Sequence, residues 1–210
     1  MAEPTAAAKR AALGVAAVTF AALALQVWLV AVARGSLVAA LLHLSQFFTI
    51  LTNTLIMLTM LAIGLGRRVP PAWTGAMLLA ILVVGIIYHL LLAHLWEPAG
   101  LDLVADHGLH SVVPALMLIW WLVWGDVAAV RWSDPLRWVI WPLVYCIYAL
   151  ARAQFSGFYP YPFLNVDELG WGGLARSIAS MAVGFLVLGG VLVTLARLRQ
   201  QAARTGPRSP

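Results

Sequence analysis

Long apolar stretches recur along this chain, and only short polar segments separate them. A helix rises 1.5 Å per residue, so about 17–25 residues are needed to cross a bilayer. Of the 210 residues, 63% are hydrophobic and 10% are charged, whereas a soluble domain carries about 25% charged residues. The pattern predicts an all-α, polytopic integral membrane protein with one domain, residues 1–210. Six transmembrane helices are expected, at residues 11–33, 45–65, 73–95, 109–125, 136–151 and 174–196.

The distribution of Lys and Arg predicts the orientation in the membrane. If the N-terminus is cytoplasmic, Arg34, Arg152 and Arg176 fall outside and the other ten of the thirteen basic residues fall inside. The positive-inside rule then predicts two cytoplasmic termini, a basic cytoplasmic tail at residues 197–210 and a multi-pass protein of the plasma membrane. The inner residues are Lys9, Arg10, Arg67, Arg68, Arg131, Arg137, Arg197, Arg199, Arg204 and Arg208.

The second apolar stretch is unusually polar for a bilayer-spanning segment. Ser45, Gln46, Thr49 and Asn53 are spaced so that a single helix would place them on one stripe. Such groups lack partners in lipid, so the stripe is expected to face the bundle interior, where polar residues often mark a functional site. The alternative is that they only join neighbouring helices.

The five histidines all fall on the predicted outer side. The segment from Asp106 to Pro114 reads DHGLHSVVP, which predicts Asp106 as the N-cap of a helix that holds His110 in its first turn and bends near Pro114. The positive helix end would keep His110 neutral, and unpaired first-turn amides would stabilise an oxyanion. Thr49, at a similar depth, would be the nucleophile and His110 the general base of an acyl transfer. A histidine bonded to a headgroup is the simpler alternative.

A metal site is the competing interpretation of the same residues. His89, His94 and His107 could supply a three-histidine zinc site with an open position. His107 and His110 could share a helix face, whereas His89 and His94 are five residues apart, which fits one face poorly. No HExxH motif is present.

The connection before the last helix, residues 157–165, reads GFYPYPFLN. Its two prolines stiffen it and its four aromatic residues suit the membrane interface, so it would act as a lid, a lipid-facing wall or an ordinary aromatic belt. Tyr161 and Phe163 are the candidates here for substrate contact. Arg152 would pair with Asp167 or Glu168, bind a carboxylate or phosphate headgroup, or extend to the interface.

Three segments together resemble one family: FFTILTN, HGLHSVVP and GFYPYPFLNV, in this order between Ser45 and Leu192. The chain is similar to the androgen-induced and androgen-dependent membrane proteins of animals and their bacterial six-helix relatives. The resemblance implies an integral-membrane threonine hydrolase that cleaves fatty acid esters of hydroxy fatty acids. It implies Thr49 as the nucleophile and His110 as the catalytic histidine. Relatives often carry an acid where Trp120 and Asn165 stand here.

The leading hypothesis is therefore an intramembrane hydrolase of lipid esters with Thr49 and His110 as catalytic residues. Substrate contacts are expected from Gln46, Asn53, Asp106, Arg152, Tyr161 and Phe163. This hypothesis requires no cofactor; the expected partners are membrane lipids and a lipid ester, and no nucleic acid. The alternatives are a non-catalytic lipid- or solute-binding bundle and a zinc-dependent lipid hydrolase.

Overall fold

The computed structural model describes residues 3–95 and 97–205, and every regular element in these two ranges is helical. The all-α prediction is confirmed. The nine α-helices are α1 (Ala6–Arg34), α2 (Leu37–Leu44), α3 (Phe48–Gly64), α4 (Pro71–Ile87), α5 (Leu101–His107), α6 (Val113–Trp124), α7 (Asp134–Trp138), α8 (Ile140–Ser156) and α9 (Val166–Thr205).

Several of these helices combine into segments of membrane-spanning length. Within the described ranges, five segments are long and apolar enough to cross a bilayer: Ala6–Arg34, Pro71–Leu95, Leu101–Trp124, Asp134–Ser156 and Val166–Ala203. The pair α2 and α3 meets the same criterion only when taken together. The chain is thus a helical membrane protein with five to six such segments, while the count of six and the orientation of the termini stay predictions.

The predicted helix 45–65 is wrong at its start, because α2 and α3 are separate helices bent by 97° at Ser45–Phe47. Backbone carbonyls freed by the break need donors in an apolar environment. Helix α8 supplies them: Tyr145 donates to the Gln46 carbonyl (2.7 Å) and Tyr148 to the Ser45 carbonyl (3.1 Å). Arg152 donates to the Leu42 carbonyl (2.6 Å). Ser45 and Gln46 therefore lie in the break, outside the helical stripe predicted for them with Thr49 and Asn53.

The predicted start of the fourth helix at residue 109 is also wrong. Helix α5 begins at Leu101 after Gly100, whose φ of 57° suits glycine, and it continues through a π-helical turn at Gly108–Val112 into α6. Asp106 consequently lies inside α5 and caps no helix. His110 lies in the π turn, so the first-turn amides predicted to surround it are absent there. Pro114, which lacks an N–H, follows directly and accounts for the irregular hydrogen bonding.

The other predicted boundaries differ by a few residues. Helix α4 ends at Ile87 and continues as a second π turn, Tyr88–Leu92, and a short 3₁₀ turn. The fifth predicted helix corresponds to a longer segment that begins with α7 and continues as α8. The sixth predicted helix is extended at both ends in α9, which contains a break at Gly170 (φ 64°).

The predicted basic tail begins as part of the last helix. Residues 197–205 continue α9, and residues 206–210, including Arg208, lie outside the described part of the chain. Arg199 donates to the carbonyls of Trp121 (3.0 Å), Gly125 (2.9 Å) and Val123 (2.8 Å), so it caps the end of α6. This part of α9 is therefore docked on the bundle.

Helix α4 is the central element of the bundle. More than half of its membrane-spanning window is buried, a larger share than in any other spanning segment of the described chain. Gly85 lies so close to α6 that a Cβ there would be 2.9 Å from the His110 carbonyl oxygen. This close approach brings the two π turns, at the ends of α4 and α5, side by side.

Candidate active site

Thr49 and His110 meet at the end of the bundle where the two π turns lie. The Thr49 Oγ1 and the His110 Nε2 are 3.3 Å apart, although 61 positions separate the residues in the chain. Thr49 is buried in the first turn of α3, and the His110 side chain is 15% exposed. A hydroxyl and an imidazole at this distance can form the hydrogen bond that nucleophile activation requires.

The other ring nitrogen of His110 faces Asp106, one helical turn earlier. The Nδ1 atom lies 3.0 Å from the Asp106 carbonyl oxygen and 3.2 Å from its Oδ1. Both neighbours are acceptors, so we assign the proton to Nδ1, which leaves Nε2 free to accept the Thr49 proton. Asp106, expected to contact substrate, thus takes the position of the third group of a Thr–His–Asp arrangement.

Tyr88 is a site residue that the sequence analysis missed. Its hydroxyl donates to the second carboxylate oxygen of Asp106 at 2.5 Å, and its ring stacks on the His110 ring with centroids 3.9 Å apart and an interplanar angle of 17°. The buried carboxylate therefore has two neighbours that favour its charged form, and the imidazole is fixed on one face. No spacing rule relates Tyr88 to Asp106, because the contact depends on how two helices are rotated.

Asn53 joins the helix of the nucleophile to the helix of the base. Its amide Nδ2 donates to the Thr49 carbonyl (2.9 Å) and to the Leu109 carbonyl (3.3 Å). The Leu109 carbonyl lacks a helical donor because Val113 bonds to Gly108 across the π turn and Pro114 has no N–H. The amide thus replaces a helical hydrogen bond and positions the pair, while substrate contact by Asn53 stays a prediction.

Helix α3 begins at the nucleophile itself. Thr49 is its second residue, and Phe47 provides no side-chain cap, so the positive end of the helix and its first amides lie beside the hydroxyl. Tyr161 lies with Thr49 on the wall of one cavity. Burial raises the pKa of the Tyr161 phenol, and hydrogen bonding near Thr49 and Phe48 lowers it in part. The phenol therefore stays protonated near neutral pH.

The site opens into a cavity of about 490 Å³. Asp106, His110 and Tyr88 lie along it together with Thr49, and His43 from α2 also lines it. Gln26 from α1 is a further polar lining residue, and the rest of the lining is apolar and aromatic, with Pro160, Tyr161 and Pro162 from the loop before α9. The loop for which a lid, a lipid-facing wall or an aromatic belt was predicted thus contributes to the cavity wall.

Three residues predicted to contact substrate also have contacts within the protein. Gln46 is buried, and its amide bonds to the His43 carbonyl (3.2 Å) and ring (3.4 Å). Arg152 contacts α2, Ser45 Oγ (3.0 Å) and Tyr148 (2.8 Å). Phe163 stacks on Tyr161 with centroids 5.1 Å apart and lines a narrow cavity together with Thr49. Substrate contact by these residues stays a prediction.

The three histidines proposed for zinc are not gathered into one metal site in the described structure. His89 Nε2 and His107 Nδ1 approach the same Ser111 Oγ, at 2.9 and 3.5 Å, on the exposed side of the π turns. Among residues 3–95 and 97–205, no three His, Cys, Asp or Glu side chains are grouped so that they would hold a metal ion. The donor geometry therefore does not fit the three-histidine site, with His94 included.

Trp120 and Asn165, the two positions at which the resemblance implied an acid in relatives, make hydrogen bonds that hold the fold together. Trp120 donates its indole N–H to the Ala8 carbonyl (3.2 Å), which ties α6 to the start of α1. The Asn165 Oδ1 accepts from the amides of Asp167 (3.1 Å) and Glu168 (3.4 Å), so Asn165 caps α9. Neither residue approaches the His110 ring.

Comparison with known proteins yields no match to a protein-family model, to a curated protein or to a solved structure. The resemblance of the three segments to the threonine hydrolases thus stays a prediction.

Proposed function

We propose that this protein is an intramembrane hydrolase of lipid esters with Thr49 as the nucleophile and His110 as the general base. The observation that carries the proposal is the buried chain of contacts from Thr49 Oγ1 through the His110 ring to Asp106. Each member has the role that its position allows: a hydroxyl to attack, an imidazole to take the proton, and a carboxylate to orient the imidazole. The resemblance to the threonine hydrolases supports the same reaction class.

Acylation follows from this geometry. The Thr49 oxygen attacks the ester carbonyl carbon while His110 Nε2 takes the hydroxyl proton. When the carbon–oxygen bond to the alcohol breaks, the imidazolium returns that proton to the leaving alkoxide. The products are the free alcohol and an acyl group esterified to Thr49.

Deacylation reverses the roles of the oxygen atoms. Water takes the place of the alcohol, His110 removes its proton, and the water oxygen attacks the acyl carbon. The proton then passes to the Thr49 oxygen as the acyl bond breaks, which releases a carboxylic acid and restores the hydroxyl. No cofactor is needed at any step.

The developing oxyanion would be stabilised from α3 rather than from the helix of His110. The candidate donors are the Tyr161 phenol, which shares the cavity lining with Thr49, and the first amides of α3, and donors held in place in a water-poor site contribute strongly to catalysis. The N-terminal end of α3 also favours negative charge on the Thr49 oxygen.

The site would lie near the outer surface of the plasma membrane. We propose that α2 and α3 together form one broken span, which gives six spans with both termini in the cytoplasm. The support is the excess of Lys and Arg on the inner side. Fusion of a reporter that is active only in the cytoplasm to residue 205 tests this orientation, and a signal only from an extracytoplasmic reporter would contradict it.

The proposed reaction is tested by turnover of ester lipids with the protein purified in detergent. Thr49→Ala and His110→Ala should each lower kcat about a thousandfold or more, because removal of either member of such a pair disables the whole. Thr54→Ala is the matched control: its hydroxyl lies on the same helix and, within the described ranges, bonds only to the Ile50 carbonyl (2.8 Å), so this variant should retain activity.

Two outcomes would contradict the proposal. Equal turnover by the parent and both site variants would remove Thr49 and His110 from catalysis. Lipid that co-purifies with the protein but is never hydrolysed, whichever ester is offered, would favour the non-catalytic binding bundle.

A further inference from the structure

A second, narrower cavity meets the wide one at the nucleophile. Thr49 and Tyr161 line both cavities. The narrow cavity has a volume of about 40 Å³ and passes between α8 and α9, where Cys146, Met181 and Phe185 line it. These three residues also line a neighbouring narrow cavity of about 20 Å³, which Ile178 lines as well.

The two cavities differ in chemistry. His110, Asp106 and His43 line only the wide one. Apart from Thr49, the phenols of Tyr145 and Tyr161 and the Cys146 thiol, the narrow cavity is lined by aliphatic and aromatic side chains and Pro142. It offers no charged side chain to a polar ligand. We call the narrow cavity and the neighbouring 20 Å³ cavity together the acyl channel.

The proton path decides which half of an ester each cavity receives. In the proposed reaction His110 protonates the leaving alcohol, so the alcohol must lie on the side of the imidazole, which is the wide cavity. The acyl substituent of the attacked carbon points away from the leaving oxygen. The acyl channel lies on the side of Thr49 that faces away from the wide cavity.

We propose that the acyl channel binds the unbranched hydrocarbon chain of the acyl group and selects substrates by its length. This inference rests on the proposed function. Methylene groups gain free energy on leaving water for an apolar lining, at a level equivalent to about fourfold in binding per methylene. An unbranched chain suits a passage this narrow, whereas the wide cavity accepts a bulkier alcohol.

The first experiment measures kcat/KM for 4-nitrophenyl esters from acetate to decanoate. The parent should favour acyl chains of about the length of hexanoate, because cavities of about 40 and 20 Å³ hold roughly four to six water-sized groups. Met181→Trp, which fills the channel, should lower the ratio of hexanoate to acetate turnover at least tenfold. Val183→Trp is the matched control, since Val183 lies two residues away on α9 and is 60% exposed. Equal ratios in Met181→Trp and Val183→Trp would overturn the proposal.

The second experiment needs no turnover. Cys146 is the only cysteine of the chain, so methyl methanethiosulfonate reports on the channel alone. In Thr49→Ala, saturating hexanoic acid should slow Cys146 modification at least fivefold, and acetic acid at the same concentration should not. If the acid protects Cys146 but the parent hydrolyses no ester, the proposed function is contradicted and the proposed acyl channel is not. If the parent hydrolyses esters but the acid does not protect Cys146, only the acyl channel is contradicted.

Discussion

Two hydrogen-bonded clusters lie back to back on the same pair of π turns. The inner cluster contains Thr49, Tyr88, Asp106 and His110, and the outer cluster, defined by His89, His107 and Ser111, lies one to three positions away in sequence. Both contain a hydroxyl beside an imidazole, and the His89–Ser111 distance of 2.9 Å is shorter than the Thr49–His110 distance of 3.3 Å. A short hydroxyl–imidazole distance therefore does not distinguish a candidate active site.

Burial and the third partner distinguish the two clusters. His89 and His107 are exposed and have no carboxylate partner in the described structure, whereas Asp106 is 3% exposed and bonds both the His110 ring and Tyr88. Electrostatic interactions are stronger where water is excluded, and only the inner imidazole is oriented on its second nitrogen. We expect ester hydrolysis at the inner cluster only.

The largest expected difference is between the two histidines of HGLH. His110→Gln should lower kcat for ester hydrolysis by about 10³-fold, since glutamine cannot take the Thr49 proton. His107→Gln should stay within about twofold of the parent, because its ring faces Ser111 on the exposed side. The measurement is turnover of one ester by both variants at matched folded protein. A comparable loss of kcat in both variants would contradict the distinction between the two clusters.

Asp106→Asn tests the contribution of the carboxylate. The backbone carbonyl of Asp106 still accepts from His110 Nδ1, so the tautomer of His110 is retained. The loss of kcat should then come from weaker stabilisation of the imidazolium. We expect kcat to fall about a hundredfold, less than for His110→Gln. Steady-state kinetics measure this effect, and unchanged kcat would show that the carboxylate is only structural.

Tyr88→Phe removes one hydrogen bond and keeps the ring stacked on His110. The Asp106 Oδ2 then loses its phenol donor, so kcat should fall about tenfold and the free energy of unfolding by about 1–3 kcal/mol. Kinetics and thermal unfolding in detergent report the two effects. Full activity and full stability together would mean that the 2.5 Å hydrogen bond has no role.

The smallest expected effect concerns the packing that brings the π turns together. Gly85→Ala should lower the free energy of unfolding by about 1–3 kcal/mol, because its Cβ would press on the His110 carbonyl. Gly184→Ala on α9 has open space around its Cβ and should be neutral or stabilising by up to about 1 kcal/mol. Thermal unfolding of both variants checks this, and equal Tm values would contradict it.

The sequence predicted the helical class and the Thr49–His110 pair, since hydropathy and depth in the helices depend on local pattern alone. It missed the break at Ser45–Phe47 because neither Gly nor Pro marks it; the break is held by Tyr145, Tyr148 and Arg152 from α8, about a hundred positions away. Such long-range donors leave no local signal.

The predicted cap at Asp106 misplaced the start of the helix, because α5 already includes this residue. Inside the helix Asp106 gains a Tyr88 hydroxyl and a His110 ring, which offset the cost of burying its carboxylate. The His110 ring lies four positions along the same helical segment, whereas the Tyr88 hydroxyl comes from the segment that follows α4. The Tyr88 contact depends on helix packing and could not be read from the sequence.

Covalent trapping with a fluorophosphonate tests the central claim most directly. The reagent phosphonylates an activated hydroxyl, and peptide mass spectrometry locates the adduct. The account predicts an adduct on Thr49 that disappears in His110→Gln and persists in His107→Gln. An adduct on Ser111, or ester hydrolysis that continues without any adduct on Thr49, would contradict it.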